Sequence, residues 1–208
     1  MIVDPQTFAF FVLAVFLLLI SPGPNMLFVL ANGAGHGWQG GLAAAAGIGV
    51  ADIVCTLACA FGLAGLVTAY PLAFDIVRWI GAAYMLYLAY KCVAASRPPV
   101  IAAATRDEAS RPAIFLRGLA ASLANPKAIL FFIVFIPQFI DAQRGSVFLQ
   151  FVLLGMTLAV IGTIFHGAIG AVGSLGARLA AGRPGTRHVL GYLQAAVFCL
   201  IAGRLLLG

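Results

Sequence analysis

The chain has 208 residues, 63% of them hydrophobic and only 9% charged, and its mean hydropathy is +1.09. A soluble domain carries roughly 25% charged residues, so this composition excludes a soluble globular enzyme. The apolar runs are continuous rather than alternating, which selects membrane helices over a barrel. The net charge of +6 resides in Lys and Arg that flank apolar runs, with no basic stretch interleaved with aromatics. It therefore speaks for orientation in lipid and against nucleic acid as a partner.

Six apolar spans are predicted in chain order. The opening Met1-Ile2-Val3-Asp4-Pro5 lacks the basic region of a signal peptide, so the first span is expected to be retained. Span 1 covers about Phe8 to Asn32 and is interrupted at mid-depth by Ser21-Pro22-Gly23-Pro24-Asn25. Proline removes a backbone donor and clashes with the preceding turn. In hydrocarbon the freed groups are costly unless protein, water or a polar ligand satisfies them. A glycine-rich connection is expected over Gly33 to Gly40, then span 2 over about Gly41 to Thr68 with Asp52 inside it. Span 3 covers about Ile76 to Ala95, with Arg78 and Trp79 at one end, Lys91 at the other, and Tyr84, Tyr87 and Tyr90 along its second half.

The polar stretch Ser96 to Pro112 divides the chain. Span 4, about Ala113 to Ile140, is broken in its middle at Asn125-Pro126-Lys127. After a turn at Asp141 to Ser146, span 5 covers about Val147 to Gly173 and contains His166. Span 6 covers Val189 to Leu207. Small residues recur every four positions in span 2 (Gly41, Ala45, Gly49) and span 5 (Gly155, Ala159, Thr163, Gly167, Ala171). Such stripes let helix backbones approach closely, within one chain or between two chains of a homodimer. Cys55, Cys59, Cys92 and Cys199 lack metal-ligand spacing and read as small packing residues.

The chain is thus expected to be all-α, one membrane domain over 1–208. Repeat 1 is about 1–96, a cytoplasmic linker about 97–112, and repeat 2 about 113–208. Each half opens on a proline-broken span, continues with a small-striped span and ends on a span opening on glycine, Gly81 or Gly191. Three spans per half make the repeats inverted, and paired broken spans place a binding site at their interface. The basic residues Lys91, Arg97, Arg106, Arg111, Arg117, Arg178, Arg183 and Arg187 all fall on one side, predicted to be cytoplasmic, with both termini opposite.

Half-helix ends at the breaks suit the carboxylate of a small zwitterion, with Lys127 adding a full positive charge. Freed carbonyls suit its ammonium group. The substrate-binding candidates are Ser21, Pro22, Gly23, Pro24, Asn25, Asn125, Pro126 and Lys127. Asp52 is the acidic residue well inside a span; it pairs with Lys127, meets the ammonium group or carries a coupling proton. His166 is a candidate proton relay, against the simpler role of bonding a neighbouring helix. No metal site and no cofactor are expected.

These residues resemble a known family. Ser21-Pro22-Gly23-Pro24-Asn25, Gly81-Ala82-Ala83-Tyr84-Met85, Asn125-Pro126-Lys127-Ala128 and Pro137-Gln138-Phe139 are similar, in order and spacing, to the LysE/RhtB family of bacterial amino-acid exporters. The resemblance covers essentially the whole chain. It implies six spans in two inverted repeats and secondary export of amino acids from the cytoplasm across the bacterial inner membrane, driven by the proton-motive force. Basic amino acids, homoserine, threonine, leucine and cysteine derivatives are substrates across that family, and an acid at the place of Asp52 is usual. Two other readings remain open on the residues alone. Metal-ion efflux would require more ligands converging with Asp52. A thiol-disulfide electron carrier would require a cysteine beside each break.

Overall fold

The computed structural model describes residues 2–20, 23–69 and 109–171, together with Leu72, Ile76, Trp79, Ile80, Ala83, Tyr84, Leu86, Tyr87, Tyr90 and Cys199. Ser21, Pro22, Cys92, most of span 3, the linker through residue 108, the fifth connection and all of span 6 except Cys199 lie outside the described residues. Every regular element described is helical.

Helix α1, Pro5–Leu19, opens on Asp4, whose Oδ2 accepts from the backbone N–H groups of Gln6 and Thr7 at 3.1 Å each. Pro5 occupies the first turn, where its missing N–H costs nothing. The Thr7 N–H holds the Asp4 carboxyl below the usual carboxylate range. The helix stops at Ile20, just before the first break. Helix α2, Pro24–Ala69, restarts at once, with the Leu27 N–H donating to the Gly23 carbonyl at 3.0 Å.

Helix α2 is two arms rather than one rod. Gly37 sits at φ 72°, ψ −175°, a conformation open essentially to glycine alone. A β-carbon placed at Gly33 would come within 2.2 Å of the Gly170 carbonyl oxygen, and one at Gly41 within 2.6 Å of the same atom. Eight residues of continuous helix would rise about 12 Å, so the chain must double back at Gly37. The 24–36 arm thereby completes span 1 and the 38–69 arm is span 2. This corrects the connection expected over Gly33 to Gly40. Gly37 serves the turn; Gly33 and Gly41 are helical, and a third helix presses so closely on both that only glycine leaves room.

That third helix is α5, Val147–Ala171. Its contacts with the 38–69 arm pair Gly41 with Gly170, Gly49 with Thr163, and Thr56 with Gly155. One member rises as the other falls, so the two helices are antiparallel and the two small stripes close on each other. Both stripes are used within one chain.

Helix α3, Arg111–Leu123, lies against the 38–69 arm, where a β-carbon at Gly47 would fall 2.1 Å from the Phe115 carbonyl oxygen. After Ala124 the chain turns into α4, Pro126–Leu130, then a π-helical turn, Phe131–Phe135, and a 3-10 turn, Ile136–Phe139. Arg111–Leu123 and Pro126–Phe139 are bent from each other by 56° and are together long and apolar enough to cross a membrane. Pro24–Leu63 and Val147–Ala171 pass the same test of length and hydropathy.

The two ends of the bundle are fixed by polar contacts. At one, Arg144 reaches Asp4 at 3.6 Å and Asp141 at 3.2 Å, tying the start of α1 to the turn after span 4. The buried Gln150 side chain pairs with the Asp141 backbone twice, accepting from its N–H at 3.0 Å and donating to its carbonyl at 2.8 Å. At the other end, beyond Gly37, Arg111 donates to Gln39. Span 1 therefore starts where span 4 finishes, and the two broken spans run in opposite directions.

The main core lies toward the Asp4–Arg144 end. Phe11, Phe131, Phe135 and Phe139 interlock there, with ring centroids 5.0 to 5.7 Å apart. A smaller core of Val29, Ala44, Ala45, Ile48 and Ile114 lies toward the Gly37 end. Cys55, Cys59 and Tyr84 pack against the larger core.

Candidate functional site

The two breaks meet. Asn125 caps α4, its Oδ1 accepting from the backbone N–H of Lys127 at 3.0 Å. Its Nδ2 donates to Oδ1 of Asn25, one hundred residues earlier, also at 3.0 Å. Asn25 in turn donates through Nδ2 to the Ser122 hydroxyl at 3.0 Å. Both asparagines sit beside prolines, Pro24 and Pro126, which open their helices at positions where no N–H is needed. Asn125 and Ser122 are buried and Asn25 is half-buried, so the junction is a polar chain set among apolar neighbours.

Beside this junction lies a cavity of about 110 Å³. Gly23, Pro24, Asn25 and Met26 of the first break, Asn125, Lys127 and Ala128 of the second, Asp52 of the 38–69 arm and His166 of α5 all line it. The remaining wall is apolar, from Val15, Leu18 and Leu19 of α1, Phe131 and Phe132 of the π-helical turn, and Leu158 of α5. The structure thus brings together Gly23, Pro24, Asn25, Asn125, Lys127, Asp52 and His166. Pro126 shapes the turn without lining the cavity, and Ser21 and Pro22 lie outside the described residues.

Asp52 is 7% exposed, and its carboxylate makes neither a hydrogen bond nor an ion pair with another described residue. A structural Asp52–Lys127 ion pair is therefore not what holds it, although both side chains border the same cavity. On α5, a β-carbon at Gly162 would stand 3.6 Å from Oδ2 of Asp52. That glycine leaves room for the carboxylate. His166 is one turn further along α5. Its Nδ1 is buried, near the Gly162 carbonyl but outside hydrogen-bond geometry, so this nitrogen does not tie α5 to a neighbouring helix.

Ser122 and the apolar wall were missed by sequence reasoning. A serine three residues before Asn125 is a visible signal. The wall carries none, because a leucine facing a cavity and one facing lipid look alike in sequence. Among the described residues, no three His, Cys, Asp or Glu side chains cluster as metal ligands, and neither Cys55 nor Cys59 lines the cavity.

The fold and site define a helical membrane protein in which two oppositely directed, proline-broken spans are joined at their breaks beside a cavity lined by both apolar and polar side chains. The chain belongs to the LysE type translocator family, whose model matches residues 16–208. It is similar to a leucine efflux protein of Salmonella typhimurium, 42% identical over 148 residues, which cover 71% of this chain and 69% of that protein. A leucine efflux protein of Klebsiella pneumoniae is 36% identical over 192 residues, covering 92% and 90% of the two chains. No solved structure matches the chain.

Proposed function

We propose that this protein is a secondary transporter that exports an amino acid with an aliphatic side chain, leucine foremost, from the cytoplasm across the bacterial inner membrane. The observation that carries this reading is the cavity at the joined breaks. It is lined by Lys127, by the amide groups of Asn25 and Asn125, by the carboxylate of Asp52 and by an apolar wall. A free amino acid presents the complementary set: carboxylate, ammonium and side chain. A pocket of about 110 Å³ is of the order of the apolar cavities near 150 Å³ that take a benzene-sized ligand, which suits a branched aliphatic group. The names of the similar proteins support leucine.

Six spans form two inverted repeats, with the opposite directions of spans 1 and 4 as support, and the linker over 97–112 faces the cytoplasm. Export is driven by the proton-motive force. Asp52 and His166 carry the coupling proton; each is buried at the cavity, and Asp52 is without a described partner. The substrate's ammonium group and the proton compete for Asp52, so that loading one releases the other.

The test is efflux from cells loaded with leucine-containing dipeptides, whose hydrolysis raises internal leucine. Cells making the protein should release leucine faster than cells without it, and the difference should vanish when the proton-motive force is collapsed. Equal release in the two strains for leucine, with faster release of a different amino acid, would move the substrate assignment; equal release for every amino acid tried would overturn export.

A further inference from the structure

The junction between the breaks has a direction. The backbone N–H of Lys127 can only donate, so the Asn125 atom 3.0 Å from it must be Oδ1. That choice turns Nδ2 of Asn125 toward Asn25, which must then meet it with its own Oδ1, at 3.0 Å. Asn25 is left with Nδ2 facing the Ser122 hydroxyl oxygen, also at 3.0 Å, which accepts. The one backbone donor at the near end thus sets the sense of both amides, and the hydroxyl at the far end, able to donate or accept, takes the accepting role. Each Nδ2 carries two hydrogens and the chain uses one from each. Both asparagines line the cavity, and no hydrogen bond among the described residues uses the second hydrogen of either.

We propose that Ser122 is a positioning residue for substrate binding: by accepting from Asn25 it holds that amide so that its second N–H, beside that of Asn125, is available to the cavity to receive the substrate's carboxylate. This rests on the amino-acid export reading above. Ser122 is 1% exposed and does not line the cavity, so it acts through Asn25. Lys127 anchors Asn125 directly, but Asn25 is anchored only by its two side-chain contacts. Without the hydroxyl, Asn25 keeps the single contact from Asn125, and its Nδ2 loses the acceptor that holds the amide plane, so the amide can swing about that contact and carry its second N–H away from the site.

The experiment compares L-leucine with L-leucinamide, which keeps the ammonium group and side chain but lacks the carboxylate. Both are measured by binding to the purified full-length protein in lipid nanodiscs, with labelled leucine displaced by each unlabelled ligand. The wild type should prefer leucine. In S122A leucine binding should weaken roughly tenfold, the scale of one lost hydrogen bond to a charged group, while leucinamide binding stays near wild type. S122T restores the acceptor and should restore the preference. If S122A does not elute as a single species, S122C replaces it, since a thiol of similar size is a poor acceptor. A leucine-to-leucinamide ratio unchanged in S122A or S122C overturns the positioning role while leaving the export reading intact. So does a S122T variant that behaves like S122A. A wild type that binds neither ligand overturns the leucine reading, and this proposal with it.

Discussion

Asn25 gains both of its described side-chain hydrogen bonds from the second half of the chain, one from Asn125 and one to Ser122. Its replacement by alanine leaves an amide donor of Asn125 and the Ser122 hydroxyl without those partners in a buried setting. Stranded polar groups of this kind cost about 1–3 kcal/mol each, so N25A should lower the melting temperature in detergent and weaken leucine binding together. Asp52 behaves differently, since no described partner is stranded when it changes. D52N should insert and melt near the wild-type temperature, yet lose export or its dependence on the pH gradient. Unchanged export with unchanged pH dependence would remove Asp52 from the mechanism. The asparagines and Asp52 were legible in the sequence because polar residues inside apolar runs are few and costly. Ser122 was not, because a hydroxyl in a helix can satisfy itself on the carbonyl one turn back. Thr56, Thr157 and Thr163 all do so here.

At the scale of the helix, glycine has two distinct uses in this chain and the sequence does not separate them. Gly37 supplies a backbone conformation, with nothing within 4 Å of where a β-carbon would stand. Gly33, Gly41, Gly47 and Gly170 supply close approach, each with backbone of another segment inside 3 Å of that point. Hence G37A is expected to destabilise through backbone strain of about 1–3 kcal/mol, and G47A by a comparable amount, about 1–3 kcal/mol, through overpacking against Phe115. Gly62 has open space around it. G62A should be neutral or raise stability by up to about 1 kcal/mol, the helix-propensity gain. Thermal unfolding of the three variants side by side checks this, and a G62A that loses as much as G47A would contradict the packing described. The breaks were legible because Pro-Gly-Pro and Asn-Pro-Lys interrupt otherwise uniform apolar runs. The reversal at Gly37 was blurred into a longer connection because neighbouring glycines, placed for packing, look like loop residues. The π-helical turn at Phe131–Phe135 left no mark in a sequence of five apolar residues.

Across the whole molecule, the placement of the cores suggests how the cavity is closed. The interlocked Phe11, Phe131, Phe135 and Phe139 stand between the cavity and the end tied by Asp4, Asp141 and Arg144. The Thr7 N–H keeps the Asp4 carboxyl ionised well below neutral pH, so this tie is charged under physiological conditions. The proposed orientation puts this end on the side away from the cytoplasm, together with the start of the chain. Reporter fusions at Asp4 should therefore give no cytoplasmic signal, and a cytoplasmic signal would overturn this topology. The opposite directions of spans 1 and 4 were expected from the odd number of spans in each half, and the meeting of their breaks follows from both halves placing the proline at the same depth. What could not be read was the company at the junction: the apolar wall comes from three helices whose outward and inward leucines are alike in sequence.

The most direct test of the central claim, that the joined breaks form the transport site, is leucine movement into proteoliposomes holding purified wild-type or N125A protein under an imposed pH gradient. The wild type should accumulate leucine in the direction set by the gradient. N125A, reconstituted to the same level and still eluting as a single species, should fall to the rate of empty liposomes. Equal gradient-driven uptake by the two proteins would contradict the account, because it would show that leucine crosses without the junction.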